Sequence, residues 1–154
     1  MWADLGCGDG TFTVALASFV PPGSTVHAID TDTRALARVP SREGDVAIVA
    51  HPGDFTVFPW PFDSVDGVLM ANSLHYVRAQ AEFLRSVDNA LRRRRILLVE
   101  YDISRGNRWV PYPINYPSAV KLFRETGYSV ATTLGRKRSL YRRGDIYGLL
   151  LTDR

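Results

Sequence analysis

The stretch DLGCGDG at positions 4–10 decides the fold of this chain. It follows a short apolar run and precedes an amphipathic one, so the order predicts a strand, a tight turn and a helix. Gly6 and Gly8 let the backbone turn sharply and leave bare main chain where a ligand can approach. The free N–H groups at the start of the helix point into the same crevice. The motif predicts a ligand site there, and a glycine turn that binds nothing is the alternative.

The charges of this turn restrict the kind of ligand. Asp4 and Asp9 are acidic, and the stretch contains neither arginine nor lysine. Two carboxylates repel a pyrophosphate and suit a ligand with positive charge. The dinucleotide fingerprint needs glycine or alanine where the chain has Thr11, and a Walker-type loop needs a lysine that is absent. The pattern favours S-adenosylmethionine, which carries a sulfonium and an ammonium group, over a nicotinamide dinucleotide.

Acidic residues also follow the second and third predicted strands. Asp30 ends the second strand, where a carboxylate accepts hydrogen bonds from ribose hydroxyls. Its alternative role is to cap the next helix, which Thr31 or Asp32 could also do. Asp54 follows the third strand and could accept from an adenine amino group, with Phe55 beside the ring. The alternative for Asp54 is an ordinary turn residue.

These segments resemble the class I S-adenosylmethionine-dependent methyltransferases, particularly those that act on small molecules. Residues 62–77 (FDSVDGVLMANSLHYV) are similar to the family's fourth strand and the loop after it. Residues 91–100 (LRRRRILLVE) are similar to its junction between a helix and the fifth strand. The sequence departs from the family by lacking helices before the first strand and by four arginines where Pro-Gly-Gly is usual. An open site, or one covered by a second subunit of a homo-oligomer, would follow from the first departure.

The resemblance implies that S-adenosylmethionine is the cofactor and that each motif contacts one part of it. The glycine turn would surround the methionine part, Asp30 would hold the ribose and Asp54 the adenine amino group. The loop after the fourth strand would lie under the methionine part. The cofactor-binding residues expected in this way are Asp4, Gly6, Cys7, Gly8, Gly10, Asp30, Thr31, Asp54, Phe55, Asn72, Ser73, Leu74 and His75.

Candidates for catalysis and for substrate contact lie in the loops after the fourth and fifth strands. His75 is the best candidate for a general base, because imidazole titrates near neutral pH, and a structural role is its alternative. Residues 102–116 form the longest irregular segment. Its Trp109, Tyr112 and Tyr116 could contact a planar or anionic substrate, or could cover the sheet edge instead. We interpret Cys7 as a small filler of the turn rather than a reactive thiol.

The rest of the chain predicts an α/β fold with a Rossmann-like, mostly parallel sheet and helices on both faces. Helices are expected at residues 10–19, 33–39, 79–93 and 117–126. Residues 128–134 and 146–151 are joined too closely for a crossover and should form an antiparallel hairpin. The resemblance implies seven strands in the order 3-2-1-4-5-7-6. We see no linker, so residues 1–154 are expected to form a single domain.

Composition narrows the function classes. The net charge is +3, and arginines cluster at residues 92–95 and 136–143, as either a phosphate-binding patch or solvated loops. No nucleic-acid module is recognisable, which disfavours that partner. No apolar run approaches the roughly 20 residues that span a bilayer. One cysteine and no leader sequence favour the cytoplasm, and three scattered histidines give no metal cluster.

Together these features predict methyl transfer from S-adenosylmethionine to a small molecule. One alternative is a protein that binds the cofactor without transferring its methyl group. A nicotinamide-dependent oxidoreductase and a nucleic-acid methyltransferase are further alternatives. The last is disfavoured because the motif Asn/Asp-Pro-Pro-Tyr/Phe is absent after the fourth strand, where the chain reads Asn72-Ser73-Leu74-His75.

Overall fold

The computed structural model describes residues 1–138 and 144–153. The strands are β1 Trp2–Leu5, β2 Thr25–Asp30, β3 Arg42–Glu43, β4 Val46–Pro52, β5 Gly67–Ala71, β6 Arg95–Tyr101, β7 Tyr128–Arg138 and β8 Asp145–Asp153. The helices are α1 Thr11–Ala17, α2 Thr33–Leu36, α3 Gln80–Ala90 and α4 Tyr116–Glu125, with a 3₁₀ turn at Leu74–Tyr76.

The described strands form one sheet in the order β3-β4-β2-β1-β5-β6-β8-β7. Strands β4, β2, β1, β5 and β6 run parallel, and β7 and β8 are antiparallel at the edge. The predicted fold class is therefore confirmed, and the seven predicted strands have the expected order once β3 is set aside. β3 is an addition that pairs antiparallel with β4 across Gly44, whose φ is 54°. Two residues are too few to show the period of a strand, so β3 could not be predicted from the sequence.

Helices cover both faces of the sheet because neighbouring strand residues point to opposite sides. Ala3 and Leu5 of β1 belong to one core with Leu84 of α3 and Phe123 of α4. The other core joins α1 and α2 to the sheet through Leu16, Leu36, Val26, Ala28 and Leu69. No helix within the described residues is long and apolar enough to cross a membrane. The crossovers place the loops after β1, β2, β4 and β5 at one end of the sheet.

Two helix ends show that local sequence decides where one helix ends and tertiary contacts decide where another ends. Gly127 follows α4 with φ 89°, as expected of a glycine that ends a helix. Helix α3 ends at Ala90 instead of residue 93. The reason is tertiary, because Leu91 is extended and the Arg92 amide donates to the Val65 carbonyl at 2.8 Å.

The second basic cluster lies at the end of the hairpin formed by β7 and β8. Its residues 136–138 are the last of β7, where Arg136 pairs with Tyr147, because the hairpin strands are longer than the predicted residues 128–134 and 146–151. Arg142 and Arg143 lie outside the described residues. Arg136 is 3.4 Å from the Asp102 carboxylate and stacks 4.5 Å from the Tyr116 ring centroid. This arginine is therefore part of a structural contact.

Arg94 closes the end of the sheet opposite the strand-end loops. Its Nη2 lies 2.7 Å from the Asp88 carboxylate and 2.5 Å from the Thr126 carbonyl, and its Nη1 donates to the Gly127 carbonyl. The guanidinium lies 4.3 Å from the centroid of the Tyr128 ring, and the Tyr128 hydroxyl donates to Asp88. This cluster, which we call the arginine clasp, joins α3, α4, β6 and β7.

Candidate active site

The glycine turn after β1 is held in a left-handed conformation against β2. Gly6, Gly8 and Gly10 have φ values of 76°, 56° and 87°. The amides of Gly6 and Cys7 both donate to the Ile29 carbonyl, at 2.9 and 3.0 Å. Positive φ is costly for residues with a side chain, which explains the glycine spacing. Gly10 is the N-cap of α1. A Cβ on Gly10 would meet the Val39 side chain, so this residue does not face the ligand side of the turn.

Asp30 links the glycine turn to the loop after β2. Its Oδ2 accepts from the Gly8 amide at 2.8 Å, and its Oδ1 accepts from the Asp32 amide at 2.9 Å. A carboxylate offers about four lone-pair positions, so each oxygen can still accept a hydroxyl donor. Asp32, not Asp30, caps α2 by accepting from the amides of Arg34 and Ala35. The capping role is thus filled by a neighbour.

Asp54 and Phe55 form the far wall of the same region. The Asp54 Oδ1 accepts from both the amide and the hydroxyl of Thr56, at 2.8 and 2.7 Å. Phe55 is buried, and its ring meets Phe83 edge-on at 5.7 Å. The Trp60 indole fixes the same segment by donating to the Phe55 carbonyl at 2.8 Å.

A cavity of about 530 Å³, the strand-end cavity, lies between these three loops and the loop after β5. Its lining residues are Gly6, Gly8, Asp30, Thr31, Asp32, Ala35, Asp54, Phe55, Thr56, Ser73 and Tyr76. Sequence reasoning did not propose Asp32, Ala35, Thr56 and Tyr76 as cavity residues. Thr56 had a local signal, because a threonine two residues after an aspartate commonly bonds its side chain. The other residues predicted to bind the cofactor are not among the lining residues: Asp4, Cys7, Gly10, Asn72, Leu74 and His75.

Three buried side-chain oxygens, one in β1 and two in the loop after β5, lack a partner within the described residues, and the one on Ser73 belongs to a residue that lines the strand-end cavity. Asp4 is fully buried, and only its Oδ2 is bonded, to the Thr13 hydroxyl at 2.6 Å. Within the described residues, Asp4 Oδ1, Asn72 Oδ1 and Ser73 Oγ have no hydrogen-bond partner. Asn72 also has a left-handed φ of 56°. Buried polar atoms are nearly always satisfied, so this group of acceptors fits a bound donor such as an ammonium.

Burial controls the protonation of the turn. The pKa of Asp4 is raised to about 7, mainly by burial and to a lesser extent by the Asp30 charge, while the hydrogen bond from Thr13 opposes the shift. Burial, with the negative charges of Asp4 and Asp30, raises the pKa of the Cys7 thiol to about 12. A thiol that stays protonated at neutral pH is a poor nucleophile. The geometry therefore favours Cys7 as a filler of the turn.

His75 is buried and paired with Glu100, an acid that was not predicted to belong to the site. Its side chain is 2% exposed, and Nδ1 lies 2.8 Å from Glu100 Oε2. Its ring centroid is 4.4 Å from that of Tyr76, which lines the strand-end cavity. Glu100 stands inside the apolar strand β6, and an ionisable residue in such a run signals a buried partner. This position behind Tyr76 favours the structural role of His75 over that of a base.

The aromatic residues of the long loop, residues 102–116, lie in two separate places. Tyr112 is half exposed, and its amide donates to the His75 carbonyl at 3.0 Å, beside the strand-end cavity. Trp109 is 60% exposed in the same loop. Tyr116 lines a separate cavity of about 470 Å³ between α4 and β7, and its hydroxyl lies 3.2 Å from the Thr133 hydroxyl. The fold thus joins the main chain of Tyr112 to the turn that carries Tyr76, whereas Tyr116 lines the other cavity.

Comparison with known sequences identifies one family. The model of a family described as methyltransferase domain matches residues 3–99, more than half of the chain. No curated protein matches the chain in sequence. The matched segment contains all the loops that line the strand-end cavity.

Solved structures with the same fold include methyltransferases and one cyclase. The magnesium protoporphyrin IX methyltransferase of Synechocystis PCC 6803, with bound S-adenosylmethionine, has a TM-score of 0.73 at 15% identity, covering 100% of this chain and 70% of its own. An S-adenosylmethionine-dependent methyltransferase from Aquifex aeolicus has a TM-score of 0.71 at 15% identity, covering 99% and 81%. The cyclase SpnF has a TM-score of 0.74 at 12% identity, covering 99% and 74%. At these identities the similarity establishes the fold.

Proposed function

The chain belongs to the methyltransferase domain family, and on that premise we propose that it binds S-adenosylmethionine and transfers the methyl group to a small molecule. The observation that carries the proposal is the strand-end cavity, which is lined by the carboxylates of Asp30 and Asp54 and by Ser73, one of the residues whose buried oxygen has no partner within the described residues. Acidic groups suit a ligand that carries a sulfonium and an ammonium.

Each wall of the cavity suits one part of the cofactor. Asp30 retains lone pairs for two ribose hydroxyls, and Asp54 beside Phe55 suits an adenine ring with its amino group. Asp4, Asn72 and Ser73 offer oxygens to the ammonium of the methionine part. The resulting assignment follows the order of the loops along the sheet edge.

When bound, the cofactor would supply a methyl group on a cationic sulfur, and this sulfur is a good leaving group. The protein then has to align an acceptor with that methyl group and exclude competing water. In such a transfer the acceptor atom would bond to the methyl carbon while the sulfur–carbon bond breaks and the sulfur keeps the bonding electrons. S-adenosylhomocysteine would leave, and any proton on the acceptor atom would pass to solvent. Tyr76 lines the cavity, and the long loop with Tyr112 and Trp109 is tied to the same turn, so these rings offer aromatic contact for a planar acceptor. Tyr116 is assigned no contact with it.

A second candidate is a protein that binds the cofactor without methyl transfer. The same fold occurs in SpnF, which is a cyclase, so the fold alone does not select the reaction. Release of S-adenosylhomocysteine in the presence of a small-molecule extract separates the two candidates. Release supports transfer, whereas tight binding without release supports the second candidate.

Calorimetry with S-adenosylmethionine, S-adenosylhomocysteine and NAD tests the binding proposal. We expect the first two to bind and NAD to bind much more weakly. Asp30→Ala should weaken binding about 100-fold, because two hydrogen bonds to a carboxylate contribute about 3 kcal/mol. Asp54→Ala should cost about tenfold, and Asp45→Ala, an exposed acid in the turn before β4, should change nothing. Unchanged dissociation constants in both cavity variants contradict the proposal.

A further inference from the structure

The 3₁₀ turn Leu74–Tyr76, which we call the shared turn, touches the strand-end cavity on one side and the long loop on the other. Ser73 and Tyr76 line the cavity. The His75 carbonyl accepts from the Tyr112 amide of the long loop at 3.0 Å. A movement of the shared turn therefore reaches both sites.

Gln80 makes a second connection between the same two segments. It is the first residue of α3, and its Nε2 donates to the Leu74 carbonyl at 3.3 Å and to the Tyr112 carbonyl at 3.0 Å. One amide group thus joins the shared turn to the long loop. With the bond from Tyr112 to His75, both backbone groups of Tyr112 are tied to this region.

Glu100 holds the shared turn from the sheet. Its Oε1 accepts from the His75 amide at 3.1 Å, and its Oε2 faces His75 Nδ1 at 2.8 Å and the Tyr101 amide at 3.3 Å. His75 and Glu100 are 2% and 1% exposed. A buried carboxylate with three such partners fixes both the main chain and the ring of His75.

We propose that Glu100 and Gln80 are positioning residues that couple the strand-end cavity to the long loop through the shared turn. The inference rests on the proposed function, because the bound cofactor is what contacts Ser73 and Tyr76. Binding there restricts the shared turn, and the restriction passes to Tyr112 through the His75 carbonyl and the Gln80 amide. By linkage, a loop held in place also strengthens cofactor binding by the same factor. The acceptor site is then completed on the cofactor-loaded protein.

Hydrogen exchange of the full chain, with and without S-adenosylhomocysteine, tests the coupling. In the unaltered protein the ligand should slow exchange in peptides covering residues 72–77 and also in those covering residues 107–113. Gln80→Met should keep the first protection and reduce the second at least about threefold, since one of two bridges is lost. Arg85→Met, an exposed change on the same helix, serves as the matched control and should keep both.

Substitutions of His75 test the role of Glu100. His75→Asn keeps a side-chain N–H close to the position of Nδ1, so S-adenosylhomocysteine should bind within about threefold of the unaltered protein. His75→Leu removes that donor and should weaken binding at least about tenfold. Rescue by asparagine is what a merely space-filling residue would not show. If His75→Leu fails to fold, the asparagine and Gln80 variants carry the test.

Three results would overturn the inference. They are equal weakening by asparagine and leucine at position 75, full loop protection in Gln80→Met, and no ligand effect on the long loop of the unaltered protein. In each of these the unaltered protein still binds S-adenosylhomocysteine, so the proposed function stands. Absence of binding to the unaltered protein overturns the proposed function instead, and the inference falls with it.

Discussion

The two ends of the sheet differ in whether their buried polar groups have hydrogen-bond partners. At the strand-end cavity, buried oxygens of Asp4, Asn72 and Ser73 lack partners within the described residues. At the other end the guanidinium of the arginine clasp pairs with one carboxylate and two carbonyls, the Tyr128 hydroxyl donates to the same carboxylate, and only the guanidinium Nε lacks a partner there. One end holds unused hydrogen-bonding capacity for a ligand, and the other uses its capacity to join four elements.

The difference predicts which property a substitution changes. Changes at the strand-end cavity should lower ligand affinity with little loss of stability, or even with a gain. Changes in the arginine clasp should lower the free energy of unfolding and leave the ligand affinity of folded molecules unchanged. This separation follows from the common rule that ligands of open α/β sheets bind at the carboxyl ends of the strands.

The largest expected effect is an exception to this separation, because it is a loss of stability at Gly6, a residue that lines the strand-end cavity. A Cβ on Gly6 would lie 2.6 Å from Ser73 Cβ and 3.2 Å from the Phe55 ring, at a left-handed φ. Gly6→Ala should therefore lower the free energy of unfolding by about 2–5 kcal/mol, by strain and overpacking. Gly8→Ala is the matched control, because its Cβ would meet no atom within 4 Å. Urea unfolding measures both, and equal losses would show that backbone strain, not crowding, dominates.

The next effect concerns the arginine clasp. Arg94→Met should lower the free energy of unfolding by about 2 kcal/mol, because Asp88 and two carbonyls lose a donor. We place the value below that of a fully buried pair since the Arg94 side chain is 33% exposed. Calorimetry should give an unchanged affinity for S-adenosylhomocysteine. Arg92→Met, at a more exposed arginine, should lower the free energy of unfolding by only about 0.5 kcal/mol, which is usual for a surface change.

A weakened ligand affinity in Arg94→Met would contradict the proposed separation of the two ends. It would mean that the clasp controls the strand-end cavity through α3, whose first residue is Gln80.

The last expected effect is a change of stability with pH, with a small slope per pH unit, and it arises at Asp4. Its pKa is about 7 when folded against 3.8 as a free side chain, so between these values the folded protein holds a proton that the unfolded chain releases. Stability should therefore fall as pH rises through this window, by at most about 1.4 kcal/mol per pH unit. Asp4→Asn removes the slope and should be the more stable protein above pH 7, although it binds S-adenosylmethionine more weakly. Unfolding between pH 5 and 8 measures this.

Asp9→Asn provides the control for that experiment, because Asp9 lies in the same turn and is exposed. It should leave the pH dependence of stability as it is. Parallel curves for the unaltered protein and Asp4→Asn would show that Asp4 is already ionised in the folded state.

The sequence predicted those parts of the fold and the site that have local causes. Alternating strand and helix patterns gave the parallel sheet, and the strand order followed from the family resemblance. Asp30 and Asp54 were found because each directly follows a strand. Glu100 was not found as a partner of His75, since the two are 25 positions apart and on different elements. Tyr112 and Gln80 meet across 32 positions, and neither residue type signals the other.

By itself, the sequence determined where the backbone turns and which strand ends carry acids, because glycine conformation and residue type act over a few positions. Only the tertiary structure decided that Tyr112 is tied to the turn beside the strand-end cavity while Tyr116 lines another cavity, and that His75 is buried against Glu100. These outcomes depend on how separate elements pack, and many distant contacts have to be satisfied together before any one of them is fixed.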